Sequence, residues 1–120
     1  MADDLRKHLY DIREATAAIF RFVRGKTFDD YEQDELLRSG IERKFEIIGE
    51  ALNRLRRAEP ALLDQIREHR NIVSFRNILT HGYDSLDNRI VWDIIAEDLG
   101  TLLEDVERLL AEAHRTHGDT

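Results

Sequence analysis

The 120-residue sequence predicts an all-α fold, an antiparallel bundle of four to five helices, on three observations. Leu, Arg, Glu and Ala dominate the composition, and all four favour helix. Glycine is sparse at six residues and proline occurs once, as in helical bundles. Apolar residues recur at steps of three and four, the period of a helix that buries one stripe. No stretch carries a strand signal or an internal repeat.

The elements follow in order. From Asp4 to Arg24, Leu5, Leu9, Ile12, Ile19, Phe22 and Val23 form one apolar stripe, and Gly25 ends that helix as a C′ glycine does. Thr27-Phe28-Asp29-Asp30 is a capping region. A second helical pattern runs from about Asp30 to Arg57, with Leu36, Leu37, Ile41, Phe45, Ile48, Leu52 and Leu55 on its apolar side. Within it, Gly40 or Gly49 is a place for a bend or for close approach of another helix. Glu59-Pro60 breaks the chain, with Pro60 placed to start a short helix. Residues 61–80 read as helical, in one piece or two, and Gly82 as the stop. Asp84 to Asn88 offers several N-caps for a long final helix carrying Ile90, Val91, Ile94, Ile95, Leu99, Leu102, Leu103, Val106, Leu109 and Leu110. Its stripe is wide enough to face both the bundle and a partner. Trp92 falls on that apolar face, as a core or dimer contact. Residues 1–113 read as one domain and 114–120 as a frayed tail.

Composition narrows the function classes. The chain is long enough for one core and too short for two. It has no cysteine, hence no disulfide framework and no thiolate metal site. The charged N-terminus, with no signal peptide and no apolar run of membrane-spanning length, points to a soluble, cytoplasmic protein. A net charge of −7 argues at first sight against nucleic acid, but the charge is polarised. Residues 54–76 carry six arginines against three acids, a local net of +3, and residues 84–112 carry nine acids against two arginines, a local net of −7. Arg54, Arg56 and Arg57 fit a solvated helix face as well as an RNA track.

Arg76, His81 and Tyr83 fall within eight residues, around an expected helix end. On a continuous helix, five residues turn a side chain by roughly 140°, so Arg76 and His81 would diverge. If the helix stops at Thr80–His81 and Gly82 turns left-handed, His81 and Tyr83 face the same cleft as Arg76, and Asn77 can bond to the turn. The residue types suit phosphodiester chemistry. Arginine is a permanent cation whose planar fork matches phosphate, and histidine exchanges a proton near neutral pH. RNA brings its own nucleophile, the 2′-hydroxyl, so its cleavage needs an acid, a base and charge stabilisation but no metal. One His81 fills one proton-transfer role; two copies related by a two-fold axis would fill both. The five histidines are scattered with no HExxH among them; His114 and His117 sit three apart, but in a tail that lacks further ligands, and no metal or cofactor is expected. A bland alternative stands beside this: Arg and His near a helix C-terminus cap carbonyls and complement the dipole, and a Tyr after glycine packs a loop.

Four features in order resemble the HepT-like family of the HEPN superfamily, over nearly the whole domain. Asp11-Ile12 precedes a Phe28…Asp34 segment. Phe45-Glu46-Ile47-Ile48-Gly49-Glu50-Ala51 resembles the family's EIIGEA signature. Arg76-Asn77-Ile78-Leu79-Thr80-His81-Gly82-Tyr83 matches its R-x4-H-x-Y motif, and Val91-Trp92-Asp93-Ile94-Ile95 opens the last helix. Where many relatives carry a Pro-Trp pair upstream of the arginine, this chain has Glu68 to Val73. The resemblance implies an α-helical homodimer and a metal-independent endoribonuclease, the toxin of a toxin–antitoxin pair. It assigns catalysis to Arg76 and His81 at the dimer interface. It further implies an MntA-like nucleotidyltransferase antitoxin that places AMP on Tyr83, setting bulk and negative charge beside Arg76. Glu50 is a candidate acceptor for Arg76 or His81, and Arg54 and Arg70 are candidate RNA contacts; DNA is not expected as a substrate. The alternative function is a non-catalytic helical dimer that binds a nucleotidyltransferase, drawn from the acidic, apolar-striped final helix.

Overall fold

A computed structural model of the chain describes residues 3–67, 69, 72 and 87–118, with no side-chain description for 114–118. The described residues are helical apart from short connections, and no strand occurs among them. The helices are α1 (Asp3–Val23), α2 (Phe28–Gln33), α3 (Glu35–Ala58), α4 (Pro60–Leu63), α5 (Asn88–Glu97) and α6 (Leu99–Gly118).

Local chemistry accounts for most of the boundaries. Gly25 closes α1 at φ +72, a left-handed angle that costs glycine little, and the Lys26 N–H donates to Val23 O at 2.9 Å. Thr27 and Asp30 then form a reciprocal capping box. The Asp30 N–H donates to Thr27 Oγ1 at 3.1 Å and the Thr27 N–H to Asp30 Oδ2 at 2.9 Å, satisfying two donors that a helix start leaves open. Pro60 occupies the first turn of α4, where its missing N–H removes nothing, and Glu59 before it stays out of the helical region at φ −152, ψ 82, as a residue before proline does.

Two expectations of continuous helices are corrected. The pattern from Asp30 to Arg57 is two helices, because Asp34 is extended (φ −112, ψ 97) and its Oδ1 accepts from the Leu37 N–H at 3.0 Å. That side-chain cap competes with continuing the backbone helix. The final helix is likewise interrupted at Asp98, whose N–H still reaches Ile94 O at 2.9 Å and whose carbonyl accepts from Leu102. Gly100, a poor helix former, follows the interruption. At the other end α6 runs to Gly118, past His114, where the tail was expected to begin.

One core joins the helices. Leu9, Ile12 and Ile19 of α1, Ile41, Phe45, Ile48, Leu52 and Leu55 of α3, and Leu99, Leu102 and Val106 of α6 are fully buried. Each such side chain contributes about 1.5–3 kcal/mol of burial free energy, against the entropy of ordering it. Helix α1 lies between α3 and α6 and packs on both. Phe22 near the end of α1 sits beside Gly40 near the start of α3, while Ala15 shares a cleft with Ile47, so α1 and α3 run antiparallel. A Cβ at Gly40 would meet the Phe22 ring at 3.5 Å, an ordinary contact, so the approach there does not depend on glycine. On the remaining side α4 packs on α3, and α5 packs on α2 and α6. Ile66 and Ile72 are fully buried in the same core.

Candidate functional site

Arg70, Arg76, Asn77, His81 and Tyr83 lie outside the described residues, so the site is approached from its flanks and from α3. Glu50 and Arg54 are on α3, about half exposed, and Arg54 Nη2 donates to Glu50 Oε1 at 2.6 Å. Their separation of four residues stacks them on one helix face. Glu50 is therefore a half-exposed carboxylate already paired with a cation, while Arg76 and His81, for which it was a candidate acceptor, lie outside the described residues. Arg56 and Arg57 are exposed in the last turn of α3, where cations suit the carbonyl end of the helix.

The upstream flank is fastened to α6. Asp105 has a side chain only 4% exposed, yet it accepts three hydrogen bonds from Arg67. The Arg67 backbone N–H and Nε donate to Oδ2 at 3.0 and 3.1 Å, and Nη2 donates to Oδ1 at 3.0 Å. Arg108 stands 3.6 Å from Oδ1 and donates to Gln65 O at 3.1 Å. Burial pushes the Asp105 carboxyl up, but the side-chain and backbone hydrogen bonds from Arg67, with the charges of Arg67 and Arg108, outweigh it and hold the group below its ordinary value. Hydrogen bonds to the ionised form win over desolvation here.

The downstream flank is held by an aromatic group and a cap. Asp87 Oδ1 accepts from the Arg89 N–H at 2.8 Å and starts α5. The Arg89 guanidinium lies 4.7 Å from the Phe28 ring centroid, a cation–π distance. Trp92 meets Phe28 edge-on at 6.3 Å and Tyr31 at 5.6 Å between centroids. Trp92 is partly buried and packs against the core. The Tyr31 hydroxyl is buried with no hydrogen-bond partner among the described residues, and burial pushes its pKa up. Nearby Glu42 is also raised, first by burial, with Arg38 opposing and Glu46 adding to the shift.

Arg67 and Asp105 were not singled out from the sequence. They are 38 residues apart, beyond any local pattern. A signal did exist: Asp105 falls three residues after Leu102 and four before Leu109, on the apolar face of the last helix, where a lone acid needs a partner. Among the described residues, a cleft of about 300 Å³ lies between α1 and α3, bordered by Asp11, Glu14, Arg21 and Lys44. Another, of about 350 Å³, lies at Phe22, Leu37 and Gly40. Neither includes a residue expected to act in catalysis. Also among the described residues, no three His, Cys, Asp or Glu are grouped to hold a metal ion, and no helix is long and apolar enough to cross a membrane.

Comparison with known proteins completes the picture. A family model described as ribonuclease HepT-like matches residues 12–109, a span that contains both flanks and the whole of Arg76 to Tyr83. The chain is 32% identical over 104 residues to the "Probable ribonuclease HepT" of Thermococcus cleftensis, covering 87% of this chain and 94% of that protein. It is 28% identical over 104 residues to "Putative RNase MJ1380" of Methanocaldococcus jannaschii, with the same two coverages. It is also 28% identical over 105 residues to "Putative RNase TTE0752" of Caldanaerobacter subterraneus subsp. tengcongensis, covering 88% and 93%. No solved structure matches the chain. An all-α bundle carrying an intact R-x4-H-x-Y motif between two anchored flanks, matched over most of its length by this model, belongs to the ribonuclease HepT-like family.

Proposed function

We propose that this protein is a metal-independent endoribonuclease and the toxin of a toxin–antitoxin pair, working in the cytoplasm as a homodimer. The observation that carries the reading is the family match across residues 12–109, with Arg76, His81 and Tyr83 all present at the motif positions. Relatives named as ribonucleases support the substrate class.

In this reading, one His81 takes the proton from a ribose 2′-hydroxyl. The 2′-oxygen forms a bond to phosphorus while the bond to the 5′-oxygen breaks, and that leaving oxygen is protonated by the second copy's His81. A 2′,3′-cyclic phosphate and a 5′-hydroxyl result. Arg76 binds the phosphate and stabilises the charge that builds on its oxygens. Asn77 steadies the turn, and Arg54 and Arg70 meet the RNA backbone; Arg54 does so by leaving or sharing Glu50. An AMP-transferring antitoxin silences the site by modifying Tyr83, because the added phosphate competes with RNA for Arg76.

Expression of the wild-type chain alone is expected to arrest growth with fragmented RNA, and His81→Ala to do neither. Co-expression with a nucleotidyltransferase from the same operon should add adenylyl mass to Tyr83 and restore growth. Harmless wild-type expression with intact RNA would instead favour the non-catalytic partner-binding module. An adenylyl group found elsewhere, with Tyr83→Phe still silenced, would remove Tyr83 from the mechanism.

A further inference from the structure

Helix α1 presents one large ring to solvent. Tyr10 is 47% exposed, although Leu9 before it and Ile12 after it are fully buried. On a helix surface the neighbours of a side chain are those three and four residues away, which for Tyr10 are Arg6, Lys7, Arg13 and Glu14. Three of the four are cations, and Glu14 is the exception. The Arg13 guanidinium lies 4.6 Å from the Tyr10 ring centroid, a cation–π distance, and so covers one face of the ring. Beside Tyr10 is a cleft of about 380 Å³, completed by Asp3, Arg6 and Lys7 of α1 and Leu110 of α6. Arg13 does not border that cleft, so the ring's other face is the one turned to it.

An aromatic plane beside an apolar wall, with cations at the rim, suits a nucleotide: the ring stacks on the base and the cations meet phosphate. The cleft also has the volume of a small-ligand site. Two carboxylates compete for the cations, Asp3 at 3.8 Å from Arg6 and Asp11 at 3.0 Å from Lys7. Both pairs are solvent-exposed and therefore weak, so a phosphate can share or displace them. The Arg13 stack holds the ring in one orientation before a base arrives, which lowers the ordering cost of binding.

We propose that Tyr10, ringed by Arg6, Lys7 and Arg13, is a stacking site for an unpaired base of single-stranded RNA. The choice of RNA rests on the ribonuclease reading; the ring, its cations and the cleft do not.

The test follows the fluorescence anisotropy of a labelled 2′-O-methyl oligouridine, which lacks the 2′-hydroxyl nucleophile and stays intact during titration. Cleavage of ordinary oligouridine is measured in parallel. Tyr10→Ala should weaken binding by about five- to a hundredfold, the scale of one lost base stack. It should raise KM with kcat unchanged, as for a contact equal in ground and transition states. Tyr10→Phe, which keeps the ring, should bind within about twofold of wild type. Arg6→Gln should reduce the slope of log affinity against log salt by about 0.7, one phosphate contact on a single strand. If Tyr10→Ala does not fold, Tyr10→Leu replaces it, apolar but without a ring. Unchanged affinity in Tyr10→Ala would overturn the proposal, and with wild-type cleavage intact it would leave the ribonuclease reading standing. An equal loss in Tyr10→Phe would also overturn it, by assigning the contact to the hydroxyl. Tyr10-dependent binding by a protein that cleaves no RNA would uphold the stacking site and overturn the ribonuclease reading instead.

Discussion

Asp105 and Glu42 are both carboxylates that burial pushes up, and their net shifts run in opposite directions. For Asp105, burial raises the carboxyl, but hydrogen bonds and charge from Arg67, with Arg108, bring it below the ordinary 3.8. A folded-state value below the unfolded one contributes stability above the unfolded pKa and loses it as pH falls through the folded pKa. Urea unfolding should therefore show wild type well ahead of Asp105→Asn at neutral pH, with the gap closing as pH drops below about 4. A gap that stays constant with pH would mean that packing, not ionisation, carries the effect. For Glu42, burial is the largest influence; Arg38 opposes it, Glu46 adds to it, and the carboxyl lies above its ordinary 4.5. The sign reverses: the penalty is absent where both states are protonated and appears as pH rises through the unfolded value. Glu42→Gln is expected to raise Tm at pH 7, with the gain fading on acidification. An unchanged or lower Tm at neutral pH would show that the Arg38 attraction outweighs burial.

Among the elements, short polar side chains decide where helices begin and end. The Thr27–Asp30 box and the Gly25 stop were legible in the sequence because both depend on residues within three positions. The break at Asp34 was not, although Asp34 is an N-cap of the usual kind. The apolar period on either side stays in phase, so periodicity alone joins α2 to α3. The interruption at Asp98 was hidden in the same way. Thr27→Ala should cost about 1 kcal/mol, and Gly25→Ala, at φ +72, about 1–2 kcal/mol. Thermal melts should show each as a drop of several degrees. A Gly25→Ala variant as stable as wild type would mean that the α1 terminus rearranges at no cost.

Across the whole molecule, the bundle was legible because burial follows the helical period: the stripes read from α1, α3 and the last helix supply most of the core observed, while Leu36 and Ile90, read into those stripes, are exposed. The proposed site was read as chemistry from Arg76, His81 and Tyr83, residue types that suit phosphodiester transfer, and it lies outside the described residues. Its supports were less legible. Glu50 was chosen for its place in a signature, yet it is bound to Arg54 at the surface. The Arg67–Asp105 attachment went unread because it joins two stretches that meet only after folding. The family match across both flanks and the motif supports a ribonuclease, and the central proposal built on it is that His81 drives RNA cleavage without a metal. The most direct measurement incubates purified wild type and His81→Ala, shown by circular dichroism to be equally folded, with RNA in EDTA, and analyses the product ends. Cleavage by wild type leaving a 2′,3′-cyclic phosphate, and none by His81→Ala, is the expected result. Equal cleavage by His81→Ala, or none by wild type at any concentration, would contradict it.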